Sequence, residues 1–147
     1  MISSIIKEDI EKEIIPEFNQ FLEKLGGKTI LITGGNGLIP SYLVDTFIIN
    51  NKRLKNPSKL IIINKNQPNR FSRLSHILND ENTKFIVQDV GKPFNISEKV
   101  DIIIHAASRA NPTAFLADPL DTIDANVNGV RTLLEYAKNN PVEEFLF

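Results

Sequence analysis

Thr29-Ile30-Leu31-Ile32-Thr33-Gly34-Gly35-Asn36-Gly37-Leu38-Ile39-Pro40 is the stretch from which the rest of the chain can be read. An apolar, β-branched run ends in clustered glycines, and a helix-like pattern follows. Five of the seven glycines lie between positions 26 and 37. Without a Cβ, Gly34 and Gly37 let the backbone turn tightly and come close to a ligand. The N–H groups that open the next helix would face that ligand, and the helix dipole favours negative charge there. Strand, glycine turn and helix N-terminus together read as a pyrophosphate cradle.

Outward from this turn, Lys28–Thr33 is predicted as the first strand. Leu38–Asn50 is predicted as a helix that buries Leu38, Tyr42, Leu43, Phe47 and Ile48. A polar connector, Asn51–Ser58, holds Pro57. Leu60-Ile61-Ile62-Ile63 is a continuous apolar run, the mark of a strand buried on both faces of a parallel sheet. A loop at Asn64–Asn69, a short helix at Arg70–Asn79 and a third strand at Lys84–Gln88 follow. The fourth strand is Val100–His105, centred on Ile102-Ile103-Ile104.

After a loop holding Pro112, Asp118 is placed to cap a helix, Pro119 takes its first position and Asp121 complements its dipole. Leu120, Ile123, Val127, Val130, Leu134 and Ala137 recur at spacings of three and four. They read as core, and in part as the face of a homodimer. Asn139-Asn140-Pro141 stops this helix, and Glu144–Phe147 starts a fifth strand. Strands alternating with helices predict an α/β chain: a Rossmann-type, doubly wound parallel sheet with helices on both faces, truncated in its fifth strand. A sheet ending there should leave Phe145-Leu146-Phe147 as an apolar edge that promotes association.

Upstream, residues 3–25 read as a helical N-terminal extension. Ile6, Ile10 and Ile14 recur every four residues, and Phe18, Phe21, Leu22 and Leu25 continue the apolar side. Pro16 would break one long helix but fits the first turn of a second. Two short helices are therefore expected, with Ser3 or Ser4 as the first N-cap and Gly26-Gly27 closing the second. The domain reading is 1–27 for this extension and 28–147 for an incomplete dinucleotide-binding unit.

Composition narrows the function classes. The chain has 147 residues, 41% apolar and 24% charged, with a net charge of −1. That suits one ordinary globular domain and offers no basic surplus for nucleic acid. No apolar run approaches the roughly 20 residues of a membrane span. Cysteine is absent, and the two histidines, His76 and His105, are far apart in sequence, so neither a disulfide nor a zinc site is expected. Glu8, Asp9, Glu11 and Glu13 are wrong for a signal or transit peptide, so a cytoplasmic location is expected. Heavy use of Asn, Lys and Ile suggests an AT-rich bacterial genome.

Four separate motifs, in order, now point to a family. Thr33-Gly34-Gly35-Asn36-Gly37 resembles a Thr-Gly-x-x-Gly turn. Gln88-Asp89-Val90 resembles an Asp-hydrophobic pair that holds adenine. His105-Ala106-Ala107-Ser108 resembles a His-x-Ala-Ala segment after the fourth strand. Asn126-x-x-Gly129 followed by Leu133-Leu134-Glu135 resembles an Asn-x-x-Gly…Leu-Leu-Glu helix. From Lys28 to Phe147 the chain resembles the extended short-chain dehydrogenase/reductase family, which contains nucleotide-sugar epimerases, dehydratases and decarboxylases. Within it, the segment His105–Pro112 and the helical prefix look most like bacterial UDP-glucuronate decarboxylases and dTDP-glucose dehydratases.

The resemblance implies a nicotinamide dinucleotide as cofactor and a nucleotide sugar as substrate of the full-length enzyme. Gly34, Gly35, Asn36 and Gly37, with the backbone of Leu38 and Ile39, would cradle the diphosphate. Asp89 and Val90 would meet the adenine, Ala106 and Ala107 would pass under the cofactor, and Ser108 and Arg109 would start the loop on the nicotinamide side. Arg109 is either a phosphate contact or an exposed surface arginine. Asn126 would bond the backbone near the fourth strand, Gly129 would permit close helix packing, and His105 would sit beside the sheet. His76 reads as a surface residue.

Two positions depart from the pattern. Pro40 stands where a small residue usually allows close helix–strand packing, so the helix is expected slightly displaced. The end of the second strand usually carries an acid for the ribose hydroxyl of NAD, about 20 residues after the glycine turn. Here it holds Asn64, Lys65 and Asn66, some thirty residues on. Asn64 can bond a hydroxyl, whereas Lys65 or Arg70 can meet a 2′-phosphate. NAD is the expected cofactor, with NADP as the alternative.

The family's chemistry rests on a Tyr-x-x-x-Lys pair, in which lysine and cofactor charge lower the tyrosine pKa for proton abstraction. Four residues after Tyr42 comes Thr46, and four after Tyr136 comes Asn140. No catalytic residue is therefore expected within the chain. The first reading is the cofactor half of a nucleotide-sugar enzyme. The others are a stand-alone dinucleotide-binding or sensing module, and a ligand-free scaffold.

Overall fold

In the computed structural model, which describes residues 2–109 and 111–147, the chain runs through five strands. They are β1 (Thr29–Thr33), β2 (Lys59–Asn64), β3 (Thr83–Val87), β4 (Ile102–His105) and β5 (Glu144–Leu146). They form one parallel sheet in the order β3-β2-β1-β4-β5. Ile30 of β1 lies opposite Leu60 on one side and Ile102 on the other. Both faces are buried, which is why the strands read as solid apolar runs. Ile30, Ile32, Leu60 and Ile62 pack toward one helical layer. Leu31, Ile61, Ile63 and Ile103 pack toward the other, around Leu133.

The first layer contains α1 (Ser4–Asp9), a wide π turn (Ile10–Ile14), α2 (Ile15–Lys24) and α3 (Leu38–Asn51). The two short helices expected upstream are present as α1 and α2, with Pro16 in the first turn of α2 as expected, and a π turn joins them without a break. Proline removes an N–H and crowds the carbonyl four residues earlier, and the preceding turn is widened. A kink follows at Phe18 (φ −106°, ψ 17°). The π turn changes the buried face: Ile10 and Ile15, five residues apart, are both buried, whereas Phe18 and Phe21 are exposed. Ser3 is the N-cap residue, but its side chain makes no capping bond. Gly27 has φ +76°, so it leaves the helix through a left-handed turn.

Helix α3 begins where expected and ends one residue later. It is buried almost all round because α1 and α2 cover the side away from the sheet. Leu38, expected inside, is exposed. Asn50 Nδ2 donates to Leu22 O at 3.1 Å, satisfying a carbonyl at the end of α2. The polar connector is clasped at its end. Asn51 Nδ2 donates to Ser58 O (2.8 Å), and Asn51 Oδ1 accepts from both Ser58 N (2.9 Å) and Ser58 Oγ (2.7 Å).

The short helix expected at Arg70–Asn79 is only a 3-10 turn, Ser75–Ile77. Local side-chain bonds compete with helix here: Asn69 Oδ1 accepts from Phe71 N at 2.8 Å, and Ser72 Oγ from Asn69 N at 2.9 Å. β3 starts and ends one residue earlier than expected. β4 starts two residues later, because Val100 N donates to Tyr136 Oη at 3.0 Å rather than to a strand.

The other side of the sheet is covered by a second layer, a π turn (Asp124–Gly129) and α6 (Val130–Asn139), reached through α4 (Pro112–Ala117) and α5 (Pro119–Ile123). The loop expected around Pro112 is therefore a helix. Asn111 Oδ1 accepts from Thr113 N at 2.9 Å just before it. Asp118 caps α5 as predicted, accepting from Asp121 N at 3.1 Å. Most of the predicted core stripe is not core, and of its residues Ala137 packs against the buried cluster. Leu120, Ile123, Val127 and Leu134 are exposed, and Leu133 is fully buried. The face toward the sheet runs instead through Ala125, Gly129, Leu133, Tyr136 and Ala137. Among the described residues no helix is long and apolar enough to cross a membrane.

Candidate functional site

A cleft of about 420 Å³ opens beyond the carboxyl ends of the strands. In an open parallel sheet, this is where connections diverge to opposite faces and leave a crevice. Here β1 leads to α3 on one face, and the neighbouring β4 leads through α4 and α5 to α6 on the other.

Gly34 forms the floor. It follows β1 directly, its N–H donates to Ile63 O at 2.8 Å, and its φ is +68°. A Cβ there would lie 2.7 Å from Ala107 Cα and 2.8 Å from Ala106 O, so only glycine lets the two strand ends close together. Gly37 N donates to Gly34 O at 2.8 Å and completes the turn. The helix's own ladder starts with Ser41 N to Gly37 O at 3.0 Å. Leu38 and Ile39 therefore have N–H groups without intrahelical partners, and Pro40 has none to leave. The Pro40 ring packs close to Gly37, where a Cβ would come within 3.0 Å of its Cγ.

Beside the floor, a hydrogen-bond chain ties β1 and β4 to the second layer. Ala125 O can only accept, so His105 Nε2 donates to it, at 3.2 Å. In the neutral ring Nδ1 then accepts from Thr33 Oγ1, at 2.7 Å. Thr33 Oγ1 in turn accepts from Ala107 N at 3.2 Å. Burial pushes the His105 imidazole below its ordinary pKa and favours the neutral form this chain needs. His105 thus sits beside the sheet, as the sequence suggests.

The wall next to the floor comes from the ends of β2 and β3. Asn64 Oδ1 accepts from Asn36 N at 3.4 Å, and Asn36 Oδ1 accepts from Leu74 N at 3.2 Å. Asn36 therefore links the glycine turn to the loop after β2. Asp89 Oδ1 accepts from Gly91 N at 3.1 Å, so this aspartate also shapes its own turn. Lys65 crosses the mouth, with Nζ 2.5 Å from Asp121 Oδ1 and 3.1 Å from Asp89 Oδ2. Arg109 Nη2 lies 2.6 Å from Asp121 Oδ2. Asp121 and Asp89 hold the Lys65 ammonium above its ordinary pKa, and Lys65 and Arg109 hold the Asp121 carboxyl below its own.

Gly34, Asn36, Gly37, Asn64, Lys65, Asp89, Val90, Ala106, Ala107 and Ser108 all line the cleft. Gly35 lies behind it, where a Cβ would meet Ile62 Cγ2 at 2.5 Å. Leu38 and Ile39 turn their side chains to solvent. Asn126 is elsewhere: it is exposed and donates to Thr122 O of its own helix at 2.8 Å. Its neighbour Ala125 takes the position facing the cleft, one step round the helix. Arg70 stacks on the Phe71 ring, 4.7 Å from its centroid, and is not among the lining residues. His76 is not a surface residue. Its Nε2 lies 2.6 Å from Asp45 Oδ1, and both side chains are at least nine-tenths buried. Asp121 also lines the cleft, with no signal in the sequence beyond its place on a helix N-terminus. Its meeting with Lys65 is purely tertiary.

Known proteins share this architecture. Residues 30–147 match the model of the NAD dependent epimerase/dehydratase family. UDP-glucuronic acid decarboxylase 1 of Danio rerio is 32% identical over 119 residues, covering 81% of this chain and 27% of that protein. A UDP-N-acetylglucosamine 4-epimerase from Methanobrevibacter ruminantium M1, solved with UDP-N-acetylmuramic acid, superposes with TM-score 0.67. It is 27% identical, with 83% of this chain and 37% of that one covered. A dTDP-glucose 4,6-dehydratase from Streptomyces venezuelae, solved with NAD, shares the fold at TM-score 0.64 and 23% identity. That match covers 79% of this chain and 37% of the dehydratase. The chain thus spans about a third of the length of such relatives. With its glycine turn, sheet order and matched span taken together, the chain belongs to the NAD dependent epimerase/dehydratase family.

Proposed function

We propose that this chain is the dinucleotide-binding part of an enzyme that acts on a nucleotide sugar by transient hydride transfer at a sugar carbon. The observation that carries the reading is the Gly34–Gly37 turn at the point where β1 and β4 diverge, with the start of α3 behind it. Two free N–H groups, a positive helix end and a floor without side chains suit a diphosphate. In this reading 1–27 is a packing extension and 28–147 the binding unit.

The backbone of Gly34–Ile39 would hold the diphosphate, with Gly35 keeping the turn close to the sheet. Asn64 would bond the adenosine ribose, and Asp89 and Val90 would flank the adenine. Ala106 and Ala107 leave room beneath the nicotinamide side, and Ser108 begins the loop beside it. When bound, the dinucleotide supplies a reversible hydride acceptor. Asn126 has no part in this arrangement.

Catalysis would rest on residues outside these 147. Tyr136 Oη donates to Glu98 O at 2.7 Å, before the amino end of β4 and away from the cleft, and Tyr42 is packed against the first core layer. A homodimer through the exposed Leu120–Leu134 stripe fits the same reading, and light scattering measures that state directly. A stand-alone dinucleotide-binding module is the second reading. Hydride-transfer turnover with UDP- and dTDP-sugars, assayed on the full-length protein encoded around this chain, separates the two.

Calorimetric titration of the chain with NAD and NADP tests the central claim. Saturable binding of either supports it, and heat from neither removes it. Gly34→Val should abolish the signal, because its side chain would fill the floor.

A further inference from the structure

In open α/β sheets the group at the end of the second strand reads the adenosine ribose: an acid takes a hydroxyl, and a nearby cation takes a 2′-phosphate. Lys65 holds that place here and, from its residue type alone, is a phosphate partner. Its surroundings say otherwise. The ammonium lies between Asp121 (2.5 Å) and Asp89 (3.1 Å). Arg109, the other cation among the described lining residues, is engaged by Asp121 at 2.6 Å and approached by Asp118 at 3.7 Å. Two cations thus face three carboxylates, and neither cation is free. A 2′-phosphate would have to displace a carboxylate from Lys65 and then sit beside it. A 2′-hydroxyl brings no charge and meets ready acceptors.

We propose that Asp121, reaching across from the first turn of α5, together with Asp89 neutralises Lys65 and so makes this cleft select NAD over NADP. The assignment rests on the dinucleotide reading above. It gives the missing acid of the second strand a substitute supplied from two other elements. Asp121 is well suited to this task. Its backbone N–H is already capped by Asp118, so its carboxylate is not needed to hold the helix start.

The test is titration of the full 147-residue chain with NAD and NADP, for wild type, Asp121→Asn, Lys65→Ala and the double variant. Wild type should bind NAD more tightly. Asp121→Asn removes one negative charge at nearly constant shape and should move the affinity ratio about tenfold toward NADP. Lys65→Ala leaves the carboxylates unopposed and should move the ratio the other way. In the double variant the gain seen in Asp121→Asn should vanish, because the freed cation is gone. A merely structural role would weaken both dinucleotides together and leave the ratio fixed. Thermal melts of each variant exclude loss of fold, and Lys65→Ala provides an independent arm if Asp121→Asn fails to fold. Wild type that binds NAD with an unchanged ratio in both single variants, or that prefers NADP, overturns this assignment alone. Wild type that binds neither dinucleotide overturns the proposed function along with it.

Discussion

Helix α3 buries ten of its fourteen residues, whereas the run from Pro119 to Asn139 buries only Gly129 and Leu133. Both segments are rich in apolar residues, and both were expected to bury a helical face. They differ in what lies outside them. α3 is held between the sheet and α1–α2, and the N-terminal extension completes its environment. The second layer has the sheet on one side, and its outer stripe stays exposed. Periodicity therefore reveals that a helix has an apolar face, while the identity of its cover is a property of the assembled chain. The exposed stripe is of the kind that marks an interaction surface.

The contrast can be broken most directly by truncating each side. Leu22→Ala, at the α2–α3 contact, should cost about 2–5 kcal/mol in urea unfolding. Leu134→Ala, in the exposed stripe, should stay within about 0.5 kcal/mol. Comparable losses at both sites would mean that the second layer is covered after all.

Next in size is the His76–Asp45 pair, buried within the better-covered flank. Burial raises the Asp45 pKa and the His76 partner opposes that rise. Asp45→Ala leaves the His76 ring without its partner and should cost about 1–3 kcal/mol. Loss of stability without change in the unfolding slope is the expected pattern. A neutral result would show that the pair adds nothing to the first flank.

His105 offers a smaller effect at the boundary between the flanks. Its folded pKa is depressed by burial, so the unfolded chain binds a proton more readily near the ordinary value of 6.5. Stability should then be full above that pH and decline as pH falls through it toward the folded value. Urea midpoints at several pH values should show this slope in wild type and lose it in His105→Gln. An identical slope in both proteins would remove His105 from the account.

Smallest of all is Tyr42. Its hydroxyl is buried with no hydrogen-bond partner among the described residues. Tyr42→Phe should therefore be neutral or stabilising by up to about 1 kcal/mol. A clear destabilisation would reveal a partner that the hydroxyl needs.

The central strands and the glycine turn were legible in the sequence because their physics is local. Ile61, Ile62 and Ile63 admit no polar face, Gly34 admits no side chain, and Asp118-Pro119 starts a helix by itself. What escaped was either short-range competition or long-range meeting. Asn69 and Ser72 diverted a helical pattern into turns through their own side chains. The π turns shifted the buried faces at Ile15 and Leu133 without any mark in composition. The family motif implies Asn126 on the cleft side, and it lies one step off it. The Lys65–Asp121 contact joins residues 56 positions apart, and no local pattern announces it.

The clamped imidazole of His105 also makes the molecule self-reporting. With only two histidines in the chain, a nitrogen-15 spectrum contains just two rings to assign. One reports from beneath the β1–β4 junction and the other from the loop that follows β2. Movement of the His105 resonance during a titration would report a ligand reaching the floor of the cleft, with His76, which does not line it, as the internal reference.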